Sequence, residues 1–196
     1  MSRYDNSDRV VSSDSEQLIL VDSDDAEAGF LDKGRCHDGD GILHRAFSLF
    51  IFNTRSELLL QQRAAGKRLW PMFWSNSCCS HPRRGESMTE ATQRRLADEL
   101  GIRADLEFVY KFRYQARFDD TGSENELCSV YLGRSDDEVR ANKTEIAAVR
   151  HVPASSLARE LQSSPQTFTP WFKMEWEHLS TAYAESLAAY AGARQR

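Results

Sequence analysis

The sequence predicts an α+β protein in which a mixed β-sheet packs against helices. Three observations predict this class. Residues 106–118 (LEFVYKFRYQARF) alternate between the two sides of an extended chain, which is typical of a strand. Ser87-Met88-Thr89-Glu90 has the form of a capping box, so we expect a helix from there to Leu100, ended by Gly101. The strands and helices do not alternate regularly, which favours a mixed arrangement over a parallel sheet.

The size and charge of the chain favour a single globular domain. The chain has 196 residues, 40% of them hydrophobic, and its mean hydropathy of -0.59 indicates a polar surface around an ordinary core. Residues 1–40 carry four basic and eleven acidic residues. We therefore expect residues 1–15 to form a flexible acidic arm and residues 16–196 to form one domain. The acidic balance argues against a nucleic-acid-binding protein.

The composition also predicts where the protein works. The longest apolar run, residues 46–52, is far shorter than the ~18 residues that a membrane helix needs. The first fourteen residues lack the apolar core of a signal peptide, and four cysteines do not form a disulfide framework. We expect a cytoplasmic protein, a monomer, that acts on a small molecule and binds neither membrane nor nucleic acid.

The remaining elements follow from apolar patterning. Residues 17–22, 46–52, 58–63 and 145–152 read as further strands, and 155–162 as a short helix. Apolar residues at spacings of three and four from Phe172 onward predict one amphipathic C-terminal helix. One side of the strand at residues 106–118 carries Phe108, Tyr110, Phe112, Tyr114, Ala116 and Phe118. In residues 124–132, Glu124 and Glu126 begin a face that continues as Cys128, Val130 and Leu132.

Residues 74–87 (WSNSCCSHPRRGES) form the densest group of reactive side chains. If the segment is extended, Cys79 and His81 point the same way. Such a pair suits a nucleophile with its base, half of a zinc site, or a thiolate beside a metal-bound imidazole. A metal site with nitrogen and oxygen ligands, of the kind that suits Zn, Mn or Fe, would form if His81 met two further histidines and the glutamate pair. That set is His37, His44, His81, Glu124 and Glu126.

Residues 80–102 (SHPRRGESMTEATQRRLADELGI) fit the spacing of the Nudix box, in which a helix holds magnesium against a diphosphate. The matching positions are Glu86, Arg94, Leu96, Glu99, Gly101 and Ile102. Three positions depart from the box, because Ser80 replaces Gly, Arg95 replaces Glu and Asp98 replaces Glu. The charge reversal at Arg95 argues against ordinary Nudix hydrolysis.

These departures and the surrounding motifs closely resemble type 1 isopentenyl diphosphate:dimethylallyl diphosphate isomerase, a family that uses a Nudix fold without hydrolysing its substrate. The resemblance runs from about Leu18 to the C-terminal helix. It rests on HRAFS at 44–48, QQRAAGKRLWP at 61–71, WSNSCCSHP at 74–82, RRLADELG at 94–101, KFRYQA at 111–116, ENELC at 124–128 and FTPW at 168–171.

The resemblance implies an isomerase of isoprenoid biosynthesis with a Nudix-type sandwich and two divalent ions. A tightly held Mn²⁺, Zn²⁺ or Mg²⁺ would be bound by His37, His44, His81, Glu124 and Glu126. A Mg²⁺ bound to Glu99 would accompany the substrate diphosphate, which Arg63, Lys67 and Arg95 would bind. The catalytic residues would be Cys79, Glu126, Tyr114 and Trp171.

Each expected role suits the chemistry of moving a double bond by one carbon. An acid must protonate one end of an alkene and a base must remove a proton from the other side. Glu126, hydrogen-bonded by Tyr114, and Cys79 would be these two groups, with either one as the acid. Trp171 would offer its π face to the developing cation.

Two other functions fit parts of the sequence. A Nudix pyrophosphohydrolase would use Glu86, Arg94 and Glu99, and it would release phosphate or pyrophosphate from its substrate. A non-catalytic module would use the cysteines and histidines to hold structural zinc, and chelation would then unfold it.

Overall fold

The computed structural model describes residues 8–192. Within these residues the strands are β1 (Gln17–Val21), β2 (Glu27–Asp32), β3 (His44–Phe52), β4 (Glu57–Arg63), β5 (Trp74–Ser75), β6 (Cys78–Ser80), β7 (Asp105–Asp119), β8 (Gly122–Arg134) and β9 (Ile146–Pro153). The helices are α1 (Lys33–Cys36), α2 (Met88–Arg95), which continues as a π-helical turn (Leu96–Leu100), α3 (Ala154–Ser163), α4 (Pro170–Thr181) and α5 (Ala184–Ala191). A 3₁₀ turn (Pro165–Thr167) precedes α4.

Strand β3 is the centre of the sheet. It runs parallel to β8 along its whole length, from His44 beside Glu126 to Phe52 beside Arg134. It also pairs antiparallel with β6, where Ser48 lies opposite Cys79. Strands β7 and β8 form a long hairpin, and β4 pairs with β9. The sheet is therefore mixed, and it brings the segments around β3, β6 and β8 next to one another.

The sheet separates two apolar cores. One core lies between the sheet and helices α3 to α5, and Phe50, Phe172 and Trp176 pack there. The other lies between the sheet and α2, where Phe47 packs with Leu96. Since a sheet covered by helices on both faces is an α+β sandwich, the predicted fold class is confirmed.

Helix α2 begins where the sequence predicts. The hydroxyl of Ser87 accepts from the backbone N–H of Glu90, and the Glu90 carboxylate accepts from the Ser87 N–H, which completes a capping box. Gly101 ends the helical segment with a φ of 68°, a left-handed conformation that glycine adopts readily. Between them, the turn at 96–100 widens to a π-helix, and this turn carries Glu99.

The predicted single C-terminal helix is wrong, because α4 ends at Thr181 and α5 begins at Ala184. At the break, Tyr183 leaves helical geometry with a φ of -121°. Its ring stacks on Tyr110 at 4.6 Å between centroids. The helical spacing of apolar residues continues across the break, so the pattern did not reveal it.

The prediction that Phe108 shares one side of the strand with Tyr110 and the following aromatic residues is also wrong. The register between β7 and β8 shifts between Phe108 and Tyr110. Such a bulge turns the residues before it to the other face. Phe108 is consequently 51% exposed and contacts Tyr131 on the opposite side of the sheet from the other aromatic residues of β7.

Part of the predicted arm at residues 1–15 lies outside the described residues. Residues 8–15 run along the domain, and Val11 is buried. The carbonyl of Arg9 accepts hydrogen bonds from Asn142 and Thr144. None of the helices within residues 8–192 is long and apolar enough to cross a bilayer.

Candidate active site

Three histidines and two glutamates meet at one end of the central strands. His44 starts β3, and Glu126 lies beside it on β8. His81 follows β6, His37 follows α1, and Glu124 lies two residues before Glu126 on the same face. All five side chains are buried, and their ligand atoms lie within 4.8 Å of one another. The sequence therefore predicts the members of this cluster, and the sheet brings them together.

Backbone contacts orient two of the imidazoles. Nδ1 of His37 donates to the carbonyl of Lys33 at 2.7 Å, and Nδ1 of His44 donates to the carbonyl of Ile42 at 2.6 Å. A carbonyl only accepts, so these contacts place a proton on Nδ1 and turn Nε2 towards the cluster. Such contacts fix imidazoles that bind a metal.

The cluster fits a divalent ion. Nε2 of His44 is buried, has no hydrogen-bond partner among residues 8–192 and lies 3.7 Å from Oε1 of Glu126. Burial, with the neighbouring His44 and His37, lowers the pKa of His81 well below its ordinary value and keeps it neutral. Neutral imidazoles and carboxylates are ligands that Zn and Mn accept. An unpaired buried nitrogen costs free energy unless such a ligand satisfies it.

The carboxylates of the cluster are held in the ionised form. Burial raises the pKa of Glu126, but contacts with His44 and Tyr114 outweigh it, so the net shift is downward. The same balance, with His37 as the partner at 2.8 Å, lowers the pKa of Glu124. These acids are therefore charged at neutral pH, as metal binding requires.

Glu126 and Cys79 line the same cavity of about 230 Å³. The hydroxyl of Tyr114 donates to Oε2 of Glu126 at 2.7 Å, and Nε2 of His81 lies 2.8 Å from Oε1. Burial raises the pKa of the Cys79 thiol to about 12. Cys78 lies on the other face of β6, in the core beneath α2. The two cysteines therefore point to opposite faces of β6, as the alternation of side chains in an extended segment predicts.

Trp171, at the start of α4, lines the apolar side of this cavity. The edge of Trp70 lies against it, with 5.2 Å between ring centroids. The guanidinium of Arg63 lies over the Trp171 ring at 5.2 Å, a cation–π contact. The cavity is thus walled by aromatic rings at the end that contains Cys79.

The cavity is also lined by cations, among them the predicted residues Arg63, Lys67 and Arg95. Lys67 and Arg95 share the carboxylate of Glu145 and form the cationic end of the cavity, whereas Arg63 lies against Trp171. Arg95 is 2% exposed and pairs with Glu99 at 2.6 Å. Two nitrogens of Arg63 donate to the carbonyls of Leu69 and Trp70, so this residue also fixes the loop before β5.

Sequence reasoning missed two further cations of the cavity, Arg68 and Lys33. Burial, together with the nearby Lys67 and Arg95, lowers the pKa of Lys33 to about 8. A cation buried beside other cations is costly without an anion, which points to an anionic ligand. Because Lys33 stands four residues before His37, one turn of helix places it next to the metal cluster, and this spacing was a usable signal.

Two buried carboxylates accompany the cations. The Cys78 thiol donates to Oε1 of Glu99 at 3.4 Å. Glu145, which sequence reasoning also missed, pairs with Lys67 at 2.5 Å and with Arg95 at 3.5 Å. Burial raises the pKa of Glu145, but Lys67 and Arg95 outweigh this effect and lower it.

The N-terminal segment closes one side of the cationic end. The carbonyl of Val11 accepts from Nη1 of Arg95 at 2.8 Å, and the hydroxyl of Ser12 accepts from Nζ of Lys33. Ser12 and Asp14 line the cavity. The sequence of this segment contains no pattern that predicts its contact with the cavity.

Residues 42–172 match the NUDIX domain family. The chain is 39% identical over 174 residues to isopentenyl-diphosphate Delta-isomerase 1 of Photorhabdus laumondii, covering 88% of this chain and 99% of the relative. It is 42% identical over 157 residues to the isopentenyl-diphosphate Delta-isomerase of Burkholderia multivorans, covering 80% and 89% of the two chains. This chain belongs to the isopentenyl-diphosphate Delta-isomerase family within the Nudix superfamily. The predicted resemblance and the isomerase class are confirmed.

Solved Nudix-like structures share the fold. A Deinococcus radiodurans protein superposes with a TM-score of 0.68 at 20% identity, covering 83% of this chain and 98% of that one. A MutT protein from Methanosarcina mazei superposes with a TM-score of 0.60 at 17% identity, covering 72% and 95% of the two chains. At such identities the comparison supports the sandwich alone.

Membership of the isomerase family explains why the Nudix box of this chain is altered. Arg94 pairs with Glu86 at 2.6 Å, so these two box residues fix the loop before α2. Arg95 points instead into the cavity, beside Glu99. The isomerase-family chain therefore has a guanidinium where the box has an acid, and a cation there suits binding of a diphosphate.

Proposed function

We propose that this protein interconverts isopentenyl diphosphate and dimethylallyl diphosphate, with Cys79 and Glu126 as the two proton-transferring groups. The observation that carries the proposal is that both side chains line one cavity that Trp171 and several cations also line. A five-carbon diphosphate has matching halves, since one end is apolar and the other carries the charge.

The two reacting groups have complementary states. Cys79 is a neutral thiol, because burial raises its pKa. Glu126 is a carboxylate, because His44 and Tyr114 outweigh the effect of burial on its pKa. One group can thus give a proton while the other takes one, which the isomerisation needs at opposite ends of the reacting carbons. Tyr114 would hold the Glu126 carboxyl in place through its 2.7 Å hydrogen bond.

Trp171 would stabilise the developing cation. Its ring lines the cavity together with Cys79, and a desolvated cation–π contact contributes about 2 kcal/mol. The surrounding Trp70 and Leu69 are buried, so water has little room beside the reacting carbons. Excluding water prevents the cation from being trapped as an alcohol.

The diphosphate would be bound by Lys33, Arg63, Lys67 and Arg95. Arg95 is held by Glu99 at 2.6 Å, and a guanidinium forms strong charge-assisted hydrogen bonds with phosphate oxygens. Lys67 is held by Glu145 at 2.5 Å. The carboxylate of Glu99 offers the oxygen ligand that Mg²⁺ prefers, so it would hold the Mg²⁺ that accompanies the diphosphate.

A second divalent ion, Mn²⁺, Zn²⁺ or Mg²⁺, would be held by His37, His44, His81, Glu124 and Glu126. When bound, this ion supplies positive charge that polarises the carboxyl of Glu126. We also propose that the protein works in the cytoplasm and as a monomer.

The test is incubation of the purified protein and Mg²⁺ with isopentenyl diphosphate in deuterated water, followed by NMR of the product. We expect dimethylallyl diphosphate with deuterium in the new methyl group and no phosphate release. Cys79→Ser is the matched control and should leave the substrate unchanged. Release of phosphate or pyrophosphate would indicate a hydrolase, and unchanged substrate with the wild-type protein would contradict the proposal.

A further inference from the structure

A buried acid outside the groups already described lies beneath the reaction cavity. Glu175 stands on α4, one helical turn after Trp171, and is 0% exposed. It lies within the apolar core beside Phe172 and Trp176. A carboxyl group in such surroundings needs a reason, because burying it lowers stability unless its polar atoms are satisfied.

The contacts of Glu175 join α4 to two strands of the sheet. The thiol of Cys128 on β8 donates to Oε1 of Glu175 at 3.5 Å. The Cys128 thiol also lies 3.5 Å from the hydroxyl of Ser48 on β3, and Ser48 is close enough to the Glu175 carboxyl to act on its pKa. In addition, the hydroxyl of Tyr110 on β7 donates to the backbone carbonyl of Glu175 at 3.1 Å.

These partners neighbour the reacting groups. Cys128 follows Glu126 by two residues on the same face of β8, because side chains two apart in a strand point the same way. Ser48 lies directly opposite Cys79 in the pairing of β3 with β6. Glu175 therefore connects the helix that carries Trp171 with the strand positions next to Glu126 and Cys79.

The carboxyl of Glu175 is protonated, and therefore uncharged, at neutral pH. Burial raises its pKa to about 8, and the carboxylate of Glu126 acts in the same direction. The groups that face it are a thiol, a hydroxyl and a phenol, and burial also raises the pKa values of Cys128 and Tyr110 above their ordinary range. In the described residues, Oε2 of Glu175 has no hydrogen-bond partner.

We propose that Glu175 is a positioning residue for the isomerisation, a carboxylic acid whose contacts with Cys128 on β8 and, through it, with Ser48 on β3 fix the Trp171 ring relative to Cys79 and Glu126. The inference rests on the proposed function. It assigns Glu175 no proton transfer to substrate, and its contribution comes through the helix that it holds.

The proposed role of Glu175 can be tested separately from binding of the diphosphate. Lys33, Lys67 and Arg95 lie on other elements, so a shift of α4 leaves these three diphosphate contacts intact and reaches only Arg63, whose guanidinium lies over the Trp171 ring. A displaced Trp171 ring should lower kcat, since a misplacement of about 1 Å can cost about 100-fold in rate. The KM for isopentenyl diphosphate should change little.

Three variants and wild-type protein test the proposal by steady-state kinetics. Glu175→Leu keeps a side chain of similar size but removes the carboxyl group and its contacts. We expect kcat to fall about 10- to 100-fold with KM within about threefold. Glu175→Gln keeps a neutral hydrogen-bonding group and should retain kcat within about threefold. Glu177→Leu, at an exposed position of the same helix, is the matched control and should behave as wild type.

A pH profile between 7 and 9 gives a second readout that does not depend on the folding of Glu175→Leu. Wild-type kcat should fall as Glu175 ionises near pH 8, and the fall should be smaller in Glu175→Gln. Equal kcat in wild type and folded Glu175→Leu, a loss in Glu175→Gln as large as that in Glu175→Leu, or identical pH profiles for wild type and Glu175→Gln would overturn the role. Absence of isomerisation by the wild-type protein would instead overturn the proposed function together with this inference.

Discussion

The hydroxyl of Tyr114 donates a 2.7 Å hydrogen bond to Oε2 of Glu126 inside the cavity. The two residues face each other across the β7–β8 hairpin, in register. Residues paired in this way have their side chains on the same face of the sheet. The hairpin therefore sets the direction of the Glu126 carboxyl before any substrate binds.

Replacing Tyr114 by Phe should lower kcat about 10- to 100-fold, because the Glu126 carboxyl loses the donor that orients it. Tight metal content should remain, since the ring and the five ligands are unchanged. Tyr190→Phe removes a hydroxyl that bonds Glu107 on the surface and is the control. If kcat of Tyr114→Phe equals that of the control, the hydrogen bond does not serve the reaction.

The adjacent cysteines should respond differently to substitution. Cys79→Ser should lower isomerisation about 10²- to 10⁴-fold, the usual contribution of a positioned acid or base, while the fold and tight metal persist. Cys78→Ser should leave turnover within a few-fold, because Cys78 lies on the other face of β6, in the core beneath α2, where its thiol donates to Glu99. Turnover assays of both variants check this. Inactivity of Cys78→Ser alone would mean that the register of the site is wrong.

Removing one histidine should release the tightly held ion. His81→Ala takes one of the five ligands from the cluster, and we expect elemental analysis to show loss of bound metal and thermal unfolding to occur at a lower temperature. His151→Ala, at an exposed position of β9, is the control. Unchanged tight metal in His81→Ala would refute the ligand assignment.

Lys33→Met should raise the KM for isopentenyl diphosphate about tenfold or more, because a charge-assisted hydrogen bond to the diphosphate contributes about 1.5–3 kcal/mol. The kcat should change less, since Lys33 lies at the cationic end and Cys79 at the aromatic end. Lys143→Met at an exposed site controls for loss of charge. A KM that is the same in both variants would exclude Lys33 from substrate binding.

Glu175 should make stability depend on pH in a defined direction. Its pKa is about 8 in the folded protein against an ordinary value of 4.5. Between these values the folded state holds a proton that the unfolded state lacks, so this contribution to the free energy of unfolding is present at low pH and is lost as pH rises towards 8. Glu175→Gln has no such group. Its stability relative to wild type should therefore increase between pH 6 and 8 and level off above, as urea unfolding at four pH values can measure. A difference that is constant with pH would contradict the assignment.

The features that depend on neighbouring residues within one segment were predicted correctly. Strict alternation places Cys79 and not Cys78 in the cavity, and the capping box starts α2 at the expected residue. The alternation also puts Glu124 and Glu126 on one face of β8. In each case neighbouring residues decide the outcome, so one segment of sequence contains the required information.

The features that were missed depend on contacts between distant segments. The bulge that turns Phe108 outward arises from pairing with β8, and the break between α4 and α5 accompanies the stacking of Tyr183 on Tyr110. Glu145 joins the cavity only because it meets Lys67, far away in the chain. A pattern within one element contains no sign of its partner in another.

The most direct test of the central claim is alkylation by an isoprenoid epoxide diphosphate, followed by mass spectrometry of the proteolytic peptides. The reagent resembles the substrate, carries its charge at the diphosphate end and becomes reactive when protonated in the cavity. Our account predicts one label per chain, on Cys79, with loss of isomerisation in proportion to labelling and protection by isopentenyl diphosphate. Labelling of Cys78, or labelling of Cys79 that leaves isomerisation intact, would contradict it.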